Sequence, residues 1–345
     1  MPRYSRMGAS SRLRTYQYVP FLKTKGIEVT VSPLFNDRYL KELYAGKGTS
    51  WRNILHCYWG RLITTLKATE FDQIVIEKEL FPFFPSWLEW WLYIKGKSYV
   101  VDYDDAVFHN YDLHQRFWVR WLLRNKIDKV MRYSKRVLAG NEYLQEKAMS
   151  SGAKEVVILP TVVDGSRYFP VEKKCENKLV KVGWIGSPST LKYVKEILPV
   201  LNKVNEKYPF ELVIIGGGAK LGFSGKETQV AWSEEKEVSE IQKLDIGIMP
   251  LSNTPWEKGK CGYKLIQYMA CGLPVVGSPI GFNQKLIFHG RNGFLPNDPL
   301  KWEQCLKNLL SDRTLRKQMG EEGYSIIHQK YVLQELAERY LYALQ

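Results

Sequence analysis

Short apolar runs alternate along the chain with longer stretches in which apolar residues return every three or four positions. The runs predict strands at Ile27–Val31, Gln73–Ile76, Tyr99–Val101, Arg136–Ala139 and Val156–Leu159 in the first half. Lys181–Ile185, Leu212–Ile215, Gln229–Ala231, Ile246–Met249 and Pro274–Val276 continue the series in the second. The intervening patterns read as helices, from Tyr16–Lys23 near the start to Val332–Leu344 at the end. Strands separated by helices predict parallel β-α units. A parallel sheet hides both faces under helices, so the fold class is α/β with doubly wound sheets.

The series breaks near Pro160–Tyr168, where Pro160 closes a strand and Asp164-Gly165-Ser166 supplies turn chemistry. A lysine-rich connector, Val171–Lys178, follows. Two domains of similar size are expected, residues 1–164 and 165–325, with a final segment 326–345. Ligands in such sheets bind outside the carboxyl ends of the strands. The first glycine turn, Arg6–Ser11, arrives after only Pro2–Ser5. Either the first strand is very short or the natural start lies upstream of Met1; the second is the expectation.

Composition adds one fact to this pattern. The 345 residues carry 50 Lys and Arg against 36 Asp and Glu, a net charge of +14. The partner is therefore acidic: nucleic acid, an anionic membrane or a phosphorylated substrate. Five scattered cysteines with no C-x-x-C pair point to free thiols in a reducing compartment, and no apolar run is long enough to span a bilayer. A cytoplasmic protein, with membrane association open, is the expectation. No zinc-finger spacing, RNP signature or basic tail is present. The excess charge is shared, +8 over residues 1–165 and +6 over 166–345, so nucleic acid is not expected as a partner.

The densest chemistry lies in Trp256–Pro279. Gly262 opens a helical run, Tyr263–Ala270, and a helix N-terminus favours phosphate. Lys258, Lys260 and Lys264 add positive charge there, and Lys264 and Gln267 share a helix face. That pair suits a phosphate and a sugar hydroxyl; a solvated basic loop before an ordinary helix is the competing reading. Asp102-Tyr103-Asp104 spells D-x-D at a strand end. Such carboxylates hold a divalent metal in some enzymes, but they equally cap a helix or pair with Arg116 or Arg120.

The same region resembles the retaining GT-B glycosyltransferases, the family-4-like group 1 enzymes of the kind found in bacterial surface polysaccharide synthesis. Their signature is E-x7-E, followed by A-M-A-x-G-x-P-V. Gly262 matches its second glycine, and Met269-Ala270-Cys271-Gly272-Leu273-Pro274-Val275 matches its tail. The second motif Glu falls on Gln267 and the first on Gly259, with Glu257 displaced by two positions. Leu159–Asp164, Val182–Ser187, Leu244–Pro250, Ile280–Phe282 and His289–Leu295 follow the family's order and spacing.

The resemblance implies two Rossmann-like domains facing a cleft, with 326–345 returning to the first domain. It implies a nucleotide diphosphate-sugar donor, no metal cofactor, and retention of configuration by a hexosyltransferase-type enzyme. Donor contacts are expected from Gly186, Ser187, Lys192, Lys260, Gly262, Tyr263, Lys264 and Gln267, with the base near Trp232. Gly8, Arg12, Arg14, Glu77 and Glu79 are acceptor-side candidates, and Asp104, Asp105 and Lys264 catalytic ones. Asp105 matches the Asp of the family's His-Asp pair and Asp104 stands in place of the His. The acceptor expected is a glycan, free or carried on a polyprenyl diphosphate. An epimerase or hydrolase of nucleotide sugars and a non-catalytic partner subunit are the competing classes.

Two further stretches bear on partners. Arg116–Arg136 reads as one basic amphipathic helix with Trp118 and Trp121, a pattern suited to an anionic membrane surface or to a peripheral helix on the core. Phe81–Tyr93 packs seven aromatics into thirteen residues, a core segment or a lipid- or sugar-facing edge.

Overall fold

The computed structural model describes residues 1–46, 48–172 and 179–345, so Cys175 and most of the Val171–Lys178 connector lie outside the described residues. The chain forms two compact units. The first comprises Met1–Thr161, Lys258–Cys261 and Leu336–Gln345; the second comprises Val162–Glu257 and Gly262–Glu335.

In the first unit, strands β1 (Ile74–Glu77), β2 (Tyr99–Tyr103), β3 (Arg136–Ala139) and β4 (Val156–Ile158) form a parallel sheet in that order. Every residue of β2 and β3 is buried, as a strand covered on both faces requires. Pro2–Tyr4 supplies a further extended segment. The Glu77 amide donates to Met1 O (3.2 Å), and the Leu34 and Phe35 amides donate to Pro2 O and Arg3 O (both 3.0 Å).

The predicted strand Ile27–Val31 does not form. Its side chains are exposed or only half-buried, so no core face holds it in register, and the ladder begins instead at Leu34–Phe35. The C-terminal helix Leu333–Leu344 joins this unit from Leu336 onward. Tyr340 stacks on Tyr18 at 4.0 Å between ring centroids, and Arg136 donates to Tyr342 O. Residues 326–335 belong instead to the second unit. Arg313–Lys330 is one unbroken helix whose Gly320 lies against Gly272, where a Cβ would sit 2.0 Å from the carbonyl oxygen.

In the second unit, β5 (Val180–Ile185), β6 (Phe210–Ile215), β7 (Lys226–Val230), β8 (Ile246–Met249), β9 (Val275–Gly277) and β10 (Gly293–Phe294) are parallel. Their spatial order is β10-β9-β8-β5-β6-β7, the doubly wound dinucleotide-binding order. One face is covered by Lys192–Lys207 and Pro299–Ser311 through Val194, Leu201, Trp302 and Leu306. The other is covered by Tyr263–Ala270 and Arg313–Lys330 through Leu265, Met269 and Ile327. The strand order reverses between β5 and β8. The loops at that switch point are where a ligand is expected.

Candidate active site

Gly186 directly follows β5 at the switch point. A Cβ there would lie 2.6 Å from the Trp184 ring and 2.9 Å from Lys264 Cε. Glycine therefore lets the Lys264 stem cross the loop, and its ammonium stands 5.3 Å from the Trp184 ring centroid. Lys264 is in the first turn of Tyr263–Ala270, which begins after Gly262 at φ +65°. The next loop carries Gly216–Gly218. The Gly216 amide donates to Val230 O (2.9 Å), and a Cβ on it would strike Gly186 O at 2.6 Å. Loop tips after β5 and β6 are thus in close backbone contact beside a lysine and a positive helix end. Backbone that approaches so closely, with a cation and a dipole beside it, suits a diphosphate.

Ser187 shares its hydroxyl with Ser189 at 2.9 Å. Lys192 begins the helix Lys192–Lys207, with its ammonium 4.9 Å from the Tyr193 ring centroid.

Gln267 is buried on the same helix as Lys264, one turn on. Its amide nitrogen donates to Tyr168 Oη (3.0 Å), Tyr168 donates to Glu237 Oε1 (2.5 Å), and Trp232 Nε1 donates to Glu237 Oε2 (2.6 Å). Tyr263 Oη lies 3.4 Å from Tyr168 Oη. Burial, then the neighbouring Tyr263 and Glu237, push the Tyr168 phenol well above its ordinary value, so it keeps its proton. The chain of donors has one direction, Gln267 to Tyr168 to Glu237. Direction fixes the Gln267 amide: nitrogen toward Tyr168 and oxygen away from it.

The displaced motif carboxylate, Glu257, is buried and receives Tyr193 Oη and Thr254 Oγ1. Both its oxygens are engaged within the second unit. Gly259, at the first motif position, belongs to the first unit. A Cβ on it would meet Ala106 Cβ at 2.5 Å and Ala106 N at 2.6 Å. A glutamate has no room there without a backbone shift. The segment is tied down by Asn141 Nδ2, which donates to Gly259 O (3.0 Å) and Lys260 O (3.1 Å) while Asn141 caps Glu142–Ser150.

In the first unit the register aligns Glu77 with Asp102 across β1 and β2, so charged residues meet at the carboxyl ends of those strands. Lys78, at φ +65°, is the centre of the group. Its ammonium lies 2.9 Å from Asp104, 3.6 Å from Asp105, 3.9 Å from Glu77 and 3.0 Å from Ser10 Oγ. Burial alone would lower its pKa, but Asp104, Asp105 and Glu77 outweigh burial and raise it. Burial raises Asp104 as well; Lys78 and the Ser10 hydroxyl overcome that and hold it below the usual carboxylate value. Asp105 is raised, chiefly by burial, with Lys260 at 3.9 Å opposing and the Asp104 charge adding. The more exposed of the two acids is thus the readier proton acceptor.

The other predicted first-unit residues are buried in internal contacts. Arg14 is fully buried and pairs with Asp102 (Nε to Oδ2, 2.9 Å), with Nη1 on Leu159 O (2.7 Å). That pair also removes Asp102 from a D-x-D metal site. Arg12 is buried too, and Gly8 is packed so that a Cβ would touch Tyr4 at 2.5 Å. Glu77 accepts from Ser10 and Ser11, and Glu79 from Tyr111, Arg3 and Lys126; both are buried in these internal contacts. Arg116–Arg136 is not one helix. It is Phe117–Leu123 and Lys126–Tyr133, with Lys126 buried on Glu79 and Arg136 in β3. Among the described residues, no three His, Cys, Asp or Glu side chains gather as a metal site needs, and no helix is long and apolar enough to cross a membrane.

Pattern reasoning misses Lys78, Tyr168, Glu237 and Gly216–Gly218. A triple glycine directly after a buried strand is a visible signal. The other three act through partners distant in sequence and leave none.

Residues 176–312 match the family described as Glycosyl transferases group 1. The chain is 22% identical over 160 residues to N-acetyl-alpha-D-glucosaminyl L-malate synthase of Bacillus anthracis, covering 44% of this chain and 41% of that protein. It is 27% identical over 161 residues to D-inositol 3-phosphate glycosyltransferase of Corynebacterium urealyticum, covering 41% and 37%. The match thus spans about two fifths of the length of these curated relatives. Among solved structures, Anabaena HepE in complex with UDP is similar at a TM-score of 0.64 and 14% identity, over 94% of this chain and 88% of that one. A glycosyltransferase from Rickettsia africae is similar at 0.63 and 14%, over 97% and 94%.

Proposed function

The chain is a GT-B protein with a group 1 glycosyltransferase domain, and from that premise we propose that it moves a sugar from a nucleotide diphosphate-sugar to a glycan acceptor. The observation that carries the reading is the Lys264 stem lying across Gly186 at the switch point, with the N-terminus of Tyr263–Ala270 beside it. Lysine and helix dipole neutralise the diphosphate as it leaves. Ser187 and Lys192 extend the same anion site. The Gln267 amide oxygen, aimed by Tyr168 and Glu237, accepts from a donor-sugar or ribose hydroxyl, with Trp232 and Tyr263 flanking it.

Retention follows if leaving and arriving oxygens share one face. The bond from the anomeric carbon to the diphosphate breaks, the bond to the acceptor oxygen forms, and the acceptor proton passes to the departing diphosphate. The protein then acts by positioning and by charge stabilisation. Asp105, Asp104 and Lys260 form the polar group of the first unit best suited to orient an acceptor hydroxyl. We read the acceptor as a lipid-linked glycan of surface polysaccharide synthesis, met by a peripheral protein at the cytoplasmic face of the membrane.

Both motif glutamates are absent, which favours a non-catalytic partner as the second reading. Incubation with a panel of nucleotide diphosphate-sugars and isolated membranes, read by transfer of labelled sugar, decides. Transfer that depends on Lys264 supports the proposal. Donor binding without transfer supports the partner subunit, and free sugar or epimer without acceptor supports a hydrolase or epimerase.

A further inference from the structure

The helix Trp51–Lys67 carries a full apolar row on its solvent face. Its buried row is Asn53, Cys57, Arg61 and Thr65, spaced four apart. Three of those side chains have internal polar partners: Asn53 pairs with Asn36, Arg61 donates to Pro2 O and Ser32 O, and Thr65 donates to Arg61 O. The opposite row, Trp51, Leu55, Trp59 and Ile63, is also spaced four apart and faces solvent, with Trp51 and Trp59 each 65% exposed. A surface helix ordinarily places its apolar stripe on the core. Here Cys57 and the half-buried Tyr58 meet Leu34 and Phe35, polar side chains share the buried row, and a second apolar row is left on the solvent face.

Two other helices of this unit also turn aromatic side chains outward. Trp87–Ile94 buries Glu89, which accepts from the Leu80 amide, and exposes Trp87 and Trp90. Phe117–Leu123 buries Val119 and Leu123 and exposes Phe117 and Trp121, at 71% and 73%. The loop 81–84 links these elements. Tyr58 lies 5.5 Å from Phe81 and 5.7 Å from Phe84 between ring centroids. Phe83 lies 6.1 Å from His114, whose carbonyl oxygen receives Arg120. Phe83 itself is held at φ +60° with its side chain half in solvent. A bulky residue there is strained, and strain retained on an exposed aromatic marks a surface with a use.

Charge identifies the occupant. The three helices carry one carboxylate among them, Glu89, and it is buried. Their other charges are basic; Lys95, Lys97, Arg116 and Arg124 flank their ends, and the exposed acids Glu70 and Asp72 follow the end of Trp51–Lys67. Arg52 and Arg116 sit over the rings of Trp51 and Trp118, at 5.6 and 6.0 Å. Aromatics interleaved with arginine, with no exposed acid on the three helices themselves, fit the headgroup layer of an anionic bilayer. A second copy of the same face would set its basic rim against itself.

We propose that Trp51–Lys67, Trp87–Ile94, Phe117–Leu123 and the loop 81–84 form one membrane-docking face for an anionic lipid surface. This deepens the transferase reading, on which it rests, by locating where a lipid-carried acceptor is met. It replaces the single basic helix expected from sequence.

The test is co-sedimentation of the full chain with phosphatidylcholine vesicles holding about a third phosphatidylglycerol. Binding should weaken with salt and be absent on phosphatidylcholine alone. Leu55→Ser with Trp59→Ser should raise the lipid concentration for half-binding at least about tenfold. Arg116→Gln with Arg124→Gln should raise it about fivefold per charge and flatten the salt dependence. Far-UV circular dichroism confirms that each variant is folded; should the apolar pair fail, the arginine pair and a Trp121→Ser variant carry the test. No sedimentation of the wild type at low salt overturns the proposal. So does self-association without lipid that Leu55→Ser with Trp59→Ser abolishes. Titration with a panel of nucleotide diphosphate-sugars without vesicles separates the two readings: binding of none of them sinks the donor site and leaves the docking face standing.

Discussion

Restoring the family glutamate at Gln267 should damage this protein. In the structure Gln267 donates to Tyr168 at 3.0 Å and Tyr168 donates to Glu237 at 2.5 Å. Gln267→Glu removes the donor and sets an acceptor against an oxygen whose proton is already committed. It also brings two carboxylates within about 5.5 Å, the two hydrogen bonds laid end to end. At an effective dielectric of about 20 that repulsion is about 3 kcal/mol. For a unit of this size it corresponds to a fall of roughly 6–12 °C in the thermal midpoint. The new carboxyl has a folded pKa raised above its unfolded value. The penalty is therefore full above that raised pKa and shrinks as pH falls through it toward about 5.

Glu237→Gln alone leaves Tyr168 or Trp232 without its acceptor and should cost about 1–2 kcal/mol. The double variant reverses the donor chain. The new amide nitrogen at position 237 donates to Tyr168, and Tyr168 donates to the new carboxylate at position 267. Trp232 keeps an acceptor in the amide oxygen at position 237. The pair should recover roughly 2 kcal/mol or more relative to additivity. Urea unfolding of the four proteins at about pH 7.5 and 5.5 gives the cycle. A neutral or stabilising Gln267→Glu, or strictly additive effects, would refute the reasoning.

Three further outcomes are expected. Lys264→Met should cut transfer about a hundredfold or more while moving the thermal midpoint by less than about 2 °C, measured by initial rates and calorimetry. Gly259→Ala should destabilise the first unit by about 1–3 kcal/mol, because its Cβ would lie 2.5 Å from Ala106; unchanged denaturant stability would mean that the segment yields freely. Lys126→Met strips Glu79 of its buried cation and should cost about 3–5 kcal/mol at neutral pH. In the wild type, burial raises Glu79, but Lys126 and Arg3 overcome it and hold the acid below its ordinary value. That stability is present above the ordinary carboxylate pKa and lost as pH falls through the depressed one. In the variant only Arg3 and Tyr111 still oppose burial, so the Glu79 pKa rises and the deficit should shrink on acidification; a deficit independent of pH would contradict the assignment.

Apolar runs are a sound guide where both faces of a strand are covered. Arg136–Ala139 and Ile246–Met249 are strands with the predicted bounds. Ile27–Val31 misleads because alternation does not say whether a core lies beneath, and β10, two residues long, is too short to leave a pattern. Local spacing places Gly262, Lys264 and Gln267 on one helix start, but not their partners. Tyr168 and Glu237 lie 99 and 30 residues from Gln267 in the chain and meet it only through the fold. The same blindness makes Arg14 look free for an acceptor-side contact, since its partner Asp102 is 88 residues away. The solvent-facing apolar row of Trp51–Lys67 is equally invisible in sequence, where a stripe of tryptophan and leucine reads as core.

Titration calorimetry with a panel of nucleotide diphosphate-sugars, on the wild type and Lys264→Met in parallel, tests the donor site most directly. At least one donor should bind the wild type and bind Lys264→Met about tenfold more weakly or worse. A panel in which nothing binds, or a donor held equally by both proteins, would contradict the assignment of the Gly186–Lys264 loop to the diphosphate.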